Sequence, residues 1–300
     1  MVKKYLKLLL KLCLTLLALY LVYRKIDLQL VKEAFLKVHF GYLLMAFVAY
    51  NASKIISAFR LNHFFKSIEV ELTNWFNLKL YYIGMFYNLF LPGGIGGDGY
   101  KIFVLKQQSE QSVKSLVSAA LLDRVSGLAA LCFLALILFL YSSGFHLLQD
   151  VGYLVYLGII GIYPIFYIAI RFFFKNFLPV FKLTSLLSIG VQGVQIGVAF
   201  CILQALHVQN GFVDYLTLFL VSSVVAAIPF TIGGIGAREI VFVYGNTFFG
   251  IETNIAVTFS LIFFLINALS SFIGVFLSIN PDEYSAQKKP QQKAVTSSTL

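Results

Sequence analysis

The sequence predicts an all-α polytopic integral membrane protein with two re-entrant hairpins entering from opposite faces as an inverted repeat, and three observations carry that prediction. Of 300 residues, 59% are hydrophobic and only 12% charged, with a mean hydropathy of +0.86; a soluble domain carries about 25% charged residues. Uncharged runs at 80–97, 125–149, 151–170, 183–213, 215–237 and 253–281 each reach the roughly 18–20 residues that cross a hydrocarbon core. Finally, LPGGIGGDG at 91–99 and IPFTIGGIGARE at 228–239 repeat a proline, a Gly-Gly-Ile-Gly string and ionisable side chains, 140 residues apart. Paired Gly/Pro interruptions at corresponding places in two halves point to a transport site built from broken helices.

In chain order, residues 12–23 are uncharged but short, so Lys7 and Lys11 must snorkel if a first helix is to span. The alternative, a cleaved signal peptide, lacks a small-residue cleavage site after Tyr20-Leu21-Val22. Residues 38–53 form a second candidate span, interrupted by Lys54 and Arg60. Residues 80–91 lead to a break at Pro92–Gly99, and the chain returns through Tyr100–Lys106. Helices follow at about 115–141, 151–171 and 184–206. A second break at Pro229–Gly236 returns through Ile240–Phe249, and a final helix covers about 254–279. The expected total is about seven or eight spanning helices within one transmembrane domain, 1–280. The polar tail 281–300 reads as disordered.

Loop charge sets the orientation. Connections 142–149 and 207–213 contain no Lys or Arg, whereas 171–182 carries Arg171, Lys175 and Lys182, and both chain ends are lysine-rich. By the positive-inside rule both termini are cytoplasmic in a bacterial or archaeal inner membrane. The first hairpin, 80–106, then opens to the cytoplasm and the second, 213–249, to the outside. The basic loop 24–39, expected outside, fits least well. The net charge of +10 sits at hydrophobic ends rather than on a polar domain, which suits anionic lipid headgroups and argues against nucleic acid. Two ordinary kinked helices are the competing explanation of the breaks.

Non-helical backbone at membrane depth survives where it is buried in protein or lines a polar cavity. Glycines permit close approach and can aim several N–H groups at one anion. The candidate site is therefore built on Gly93, Gly94, Gly96 and Gly97 with Asp98 and Lys101, and on Gly233, Gly234 and Gly236 with Arg238 and Glu239. Asn88, just before the first break, can bond freed backbone groups. Ionisable groups within a membrane are functional by default, which adds Asp123 and Arg124 in LLDRVSGLAAL and Arg60 in SAFRLNHFF. The plainer readings are that Asp98 caps a helix, that Arg238 and Glu239 pair structurally, and that Asp123, Arg124 and Arg60 are interface anchors. His39, His63, His146 and His207 are scattered. Cys13, Cys132 and Cys201 lie in apolar runs, so no metal, cofactor or catalytic residue is expected. The glycine strings lack the Lys-Ser/Thr of a nucleotide loop.

The string NLFLPGGIGGDGYKIFVL, with SAFRLNHFF, LLDRVSGLAAL and IPFTIGGIGAREIVF in the same order, resembles the lysylphosphatidylglycerol synthase transmembrane-region family, also called flippase-like domain proteins. The resemblance covers roughly residues 1–280. It implies movement of aminoacylated phospholipids between leaflets or a role with isoprenoid-phosphate lipids. Lys101 stands where a basic residue often follows the family's Gly-Gly-Asp. Bifunctional members add a soluble aminoacyl-transferase domain, whereas about 20 residues follow the last helix here, which argues against lysyltransferase activity.

The expected function is to bind and translocate an anionic lipid headgroup. Arg60, Lys101, Arg124 and Arg238 would hold phosphate, and Asp98 and Glu239 would pair with these cations in the empty site. Expected partners are membrane lipids (an anionic phospholipid or an isoprenoid phosphate), with a second copy or a lipid-modifying enzyme left open. The alternatives are a membrane-embedded lysyl- or glycosyltransferase acting on a lipid phosphate, a membrane scaffold, and an ion or solute transporter.

Overall fold

A computed structural model describes residues 38–90, 96–227 and 237–279. They form helices α1 (Phe40–Lys66), α2 (Asn74–Phe90), α3 (Gly96–Gln108), α4 (Val113–Leu140), α5 (Tyr153–Phe173), α6 (Phe181–Ala205), α7 (Phe212–Ala227), α8 (Ala237–Phe249) and α9 (Thr253–Phe276). Short 3-10 segments at Ser143–Val151 and Lys175–Val180 precede α5 and α6. No strand occurs among the described residues. Five helical stretches are long and apolar enough to cross a bilayer: α1, α4, α5, α6 with its 3-10 lead, and α9. Their outward faces carry large apolar side chains such as Leu157, Ile160 and Ile165 of α5, 60%, 70% and 68% exposed, as expected where lipid rather than water is the solvent.

Two apolar clusters mark the ends of the bundle. One joins the C-terminal half of α1 (Leu61, Phe64, Phe65), the start of α2 (Phe76, Leu80), Leu105 of α3, Leu116 of α4 and Ile170 of α5. Lys66, Lys79, Lys106, Lys114, Arg171, Lys175 and Lys182 belong to these same segments, making this the basic end. The other cluster joins the start of α1 to the ends of α4 and α6, to α7, and to the first half of α9. Connections 141–152, 206–211 and 250–252 at this end contain no Lys or Arg. Here the Ser143 N–H donates to Asp214 (2.7 Å), Glu252 N–H donates to the Tyr215 hydroxyl (3.2 Å), and His39 N–H donates to the Ala205 carbonyl (3.1 Å). Gly250, with φ of 64°, ends α8 in the left-handed region and turns the chain into α9.

The hairpin α2–α3 therefore opens at the basic end and α7–α8 at the opposite end, as the loop charges predict. Their helices have 17, 13, 16 and 13 residues, so at about 1.5 Å per residue each is shorter than the ~30 Å hydrocarbon core. The first hairpin is closed tightly. A Cβ on Gly97 would fall on the Gly84 carbonyl oxygen, so only glycines let α2 and α3 meet there. Gly274 of α9 similarly lies on the backbone of α2 at Tyr82.

Some boundaries differ from the sequence expectation. The span placed at 38–53 runs unbroken through Lys54 and Arg60 to Lys66, because both side chains find partners inside the protein. The helix expected to start at 80 begins at Asn74, and Lys79 sits 5.7 Å from the exposed Trp75 ring, the pattern of an interfacial anchor. The first helix around 12–23, the loop 24–37 and the tail from 280 lie outside the described residues.

Candidate functional site

A cavity of about 360 Å³ lies between the two hairpins, within the size range of ligand sites. Residues flanking both breaks line it: Asn88 and Leu89 at the end of α2, Ala226 and Ala227 at the end of α7, and Arg238 at the start of α8. Lys54 from α1 and Arg124 from α4 bring two more cations to its wall. The remaining polar lining is neutral, from Tyr50, Tyr81, Gln192, Gln195, Ser223, Asn267 and Ser271.

Each cation is held differently. Arg238 donates to the Ser223 hydroxyl (3.0 Å) and the Ser222 hydroxyl (3.4 Å), and its guanidinium stands 4.8 Å from the Phe263 ring and 5.7 Å from Phe219. These hydroxyls and ring faces help to orient the guanidinium. Lys54 places its ammonium 4.4 Å from the Tyr50 ring, and Tyr50 is itself fixed by donating to Asn267 of α9 (2.6 Å). Lys54 and Arg238 line the same cavity. Two like charges on one wall in a low-dielectric interior favour an anion between them. Arg124 is bound by Asp98, whose carboxylate also accepts from Lys101 at 3.2 Å.

The first break is pinned from inside. Asn88 accepts the Gly97 N–H at 2.7 Å, as expected for a residue next to freed backbone. Lys101, 5% exposed, packs its ammonium 4.6 Å from the Tyr81 ring. It thus belongs to the hairpin's own lock and lies off the cavity lining. Tyr82 donates to Asn51 (2.8 Å), which donates to Ser270 (3.0 Å), tying α2, α1 and α9 together.

Arg60 and Asp123 also lie off the lining. They form a buried ion pair at 2.8 Å, with side chains 6% and 10% exposed, and Arg60 donates to Ser188 of α6 (2.9 Å). Ser126 and Ser188 hydroxyls are 2.6 Å apart. Gly127 lets the guanidinium lie on α4, where a Cβ would be 3.3 Å from Nη1. The pair therefore clamps α1, α4 and α6. The adjacent residues Asp123 and Arg124 look in different directions, one to this clamp and the other to the first hairpin and the cavity.

Among the expected site residues, Asn88, Arg124 and Arg238 line the cavity, and Gly97 and Asp98 support it. Gly96 opens α3. Gly93, Gly94, Gly233, Gly234 and Gly236 lie outside the described residues, as does the Glu239 side chain. Sequence reading passed over Lys54, although a lysine midway along an apolar span was the signal. It also passed over Gln192 and Gln195, which stand three apart on one face of α6. Among the described residues no three potential metal ligands cluster, and Cys132 and Cys201 are free thiols.

The model of one protein family, described as the lysylphosphatidylglycerol synthase TM region, matches residues 8–274. No curated protein matches the chain, and no solved structure does.

Proposed function

The chain belongs to the lysylphosphatidylglycerol synthase TM region family, and from that premise we propose that this polytopic membrane protein binds the headgroup of an anionic phospholipid or isoprenoid phosphate in its central cavity and passes it between leaflets. One observation carries the reading: Lys54, Arg124 and Arg238 converge on a cavity bordered by both helix breaks. A phosphate between Lys54 and Arg238 would offset both charges, and the planar guanidinium suits two-point contact with phosphate oxygens. Hairpins opening at opposite ends give each leaflet one route to the same cavity. In this reading the basic end is cytoplasmic.

Liposomes carrying a fluorescent phosphatidylglycerol test it. Wild-type protein should expose inner-leaflet label to an external quencher, and Arg238→Gln should slow this about tenfold or more at unchanged folded yield. Arg238→Lys should recover part of the rate, because the ammonium keeps the charge but not the fork. Full yield with full movement in Arg238→Gln would remove Arg238 from the site. Orientation is checked with single cysteines near Lys106 and Gly250, in a background without Cys13, Cys132 and Cys201. They should label from opposite faces, and labelling from one face would overturn the inverted arrangement.

A further inference from the structure

A second opening lies away from the central cavity, at the basic end of the bundle. It is a cleft of about 200 Å³ between α1 and the start of α2. Ile55, Ala58 and Phe59 form one wall and Trp75 and Leu78 the other, with Asn74 at one end. The buried Asn77 donates to the Ala58 carbonyl at 2.5 Å and ties the two helices together at the floor. Phe59 and Trp75 are 42% and 61% exposed, so the cleft opens outward, where lipid is the solvent. The two helices run antiparallel: Asn62 meets Asn74, and Ala58 meets Asn77 one turn deeper. Ile55 and Leu78 are therefore the deep end, and Asn74 the end nearest the connection 67–73.

The shallow end is built to donate. Asn62 Nδ2 donates to the Leu72 carbonyl (3.1 Å), which can only accept, so that end of the Asn62 amide is nitrogen. The same nitrogen donates to Asn74 at 3.0 Å, so the Asn74 atom it meets is oxygen. The NH2 of Asn74, an exposed residue, is the end left for other partners. Lys79, one turn along α2, holds its ammonium 5.7 Å from the Trp75 ring. The positive end of the α2 dipole falls at the same place, since α2 begins at Asn74. One end thus offers N–H donors and a cation, and the other only apolar side chains. A soluble anion would leave the deep end empty, and a bare hydrocarbon would leave the donors unused. A helix of a partner, about 10–12 Å across, is too wide for a cleft this small. We infer that the cleft is a lipid site separate from the central cavity, filled by one acyl chain of an anionic glycerophospholipid from the leaflet at the basic end. The chain lies between Phe59 and Trp75 and points toward Ile55 and Leu78, while phosphate or ester oxygens accept from Asn74 and Lys79. The bound lipid fastens the start of the first hairpin to α1. This site stands whether or not the central cavity moves lipid.

Trp75 is the single tryptophan of the chain, so its fluorescence reads this cleft directly. The purified full chain is reconstituted in phosphatidylcholine, and phosphatidylglycerol or phosphatidylcholine with brominated acyl chains is titrated in as quencher. Quenching should saturate, and brominated phosphatidylglycerol should reach half its effect at a mole fraction about fivefold lower than brominated phosphatidylcholine. Glu69 and Glu71 on the adjoining connection keep that factor modest. Asn74→Asp keeps the oxygen that Asn62 holds and replaces the donor with an anion. The preference should then fall to about twofold or less, with quenching by brominated phosphatidylcholine unchanged. Ala58→Leu fills the cleft without changing charge and should turn saturable quenching into quenching proportional to mole fraction. Arg238→Gln, at the central cavity, should match the wild type. Equal and proportional quenching by both lipids in the wild type means boundary lipid only; it overturns the inference and leaves the proposed function standing. Loss of the preference in Arg238→Gln places the quenching lipid elsewhere and overturns it as well. So does wild-type behaviour in either Asn74→Asp or Ala58→Leu. Should one of these two fail to fold, the other decides.

Discussion

The two hairpins share a break motif, yet they are held together in different ways. In the first, α2 and α3 close-pack next to the break, where Gly84 and Gly97 put backbone against backbone, and Asn88, Asp98 and Lys101 add polar locks. At the offset of 140 the second hairpin has Val224, Ala237, Ile228, Arg238 and Val241 in those places. Among its described residues the glycine contact lies near the mouth, where Gly245 faces the Leu218 side chain. Asp98 and Arg238 are thus equivalent positions of opposite sign. Asp98 turns to Arg124 and Lys101, while Arg238 rests on hydroxyls and aromatic faces at the cavity. The difference teaches that a repeated Gly-Gly-Ile-Gly break can be flanked by a locked wall in one copy and by a cation at a cavity in the other.

The largest effect should come from the frame both hairpins lean on. Asp123→Asn leaves the Arg60 guanidinium buried without its carboxylate and should destabilise the protein by about 3–5 kcal/mol. Thermal unfolding in detergent measures this, and a wild-type midpoint would mean the clamp does not carry the frame. Gly97→Ala comes next, at about 3 kcal/mol, because the added methyl meets backbone that cannot yield. The single tryptophan, Trp75, lies on the first hairpin, so its fluorescence should report early melting there. In the second hairpin Gly245→Ala meets only the Leu218 side chain, which can rotate, and should cost about 1 kcal/mol. Equal losses from the two alanine variants would break the contrast drawn between the hairpins. The smallest effect is that of Asp98→Asn. It weakens contacts to Lys101 and to Arg124, whose side chain is 37% exposed, so solvent screening limits the loss to about 1 kcal/mol. Lipid displacement on the same variant would sharpen the comparison. If Asp98 is a lock, weakening its hold on Arg124 should raise affinity for anionic lipid about twofold to fivefold.

Much of this architecture was legible because the signals are local. Long uncharged runs, Gly/Pro breaks and basic loops each act over a few residues, and together they specified a membrane protein with two hairpins opening at opposite ends. The site was legible only in part. Arg238 and Arg124 stood out as charges beside apolar runs, but Arg60 and Asp123 stood out equally, and packing shows them bound to each other. Nothing in the spacing of residues 60 and 123 says that they meet. Lys54 was read as an interruption of a span, since its use depends on which way one helix face turns. Gln192 and Gln195 share a face of α6, but a glutamine in an apolar helix looks the same in sequence whether or not it meets a cavity.

The sequence by itself determined the solvent, the helices, the breaks and the opposed openings of the hairpins, since transfer from water to lipid and the conformational freedom of glycine and proline act residue by residue. Only the tertiary structure decided which charges are neutralised in the frame and which converge on the cavity. That outcome depends on helix rotation and crossing distance, and these are set by close contacts such as Gly84 with Gly97 and Gly274 with Tyr82, between residues far apart in the chain.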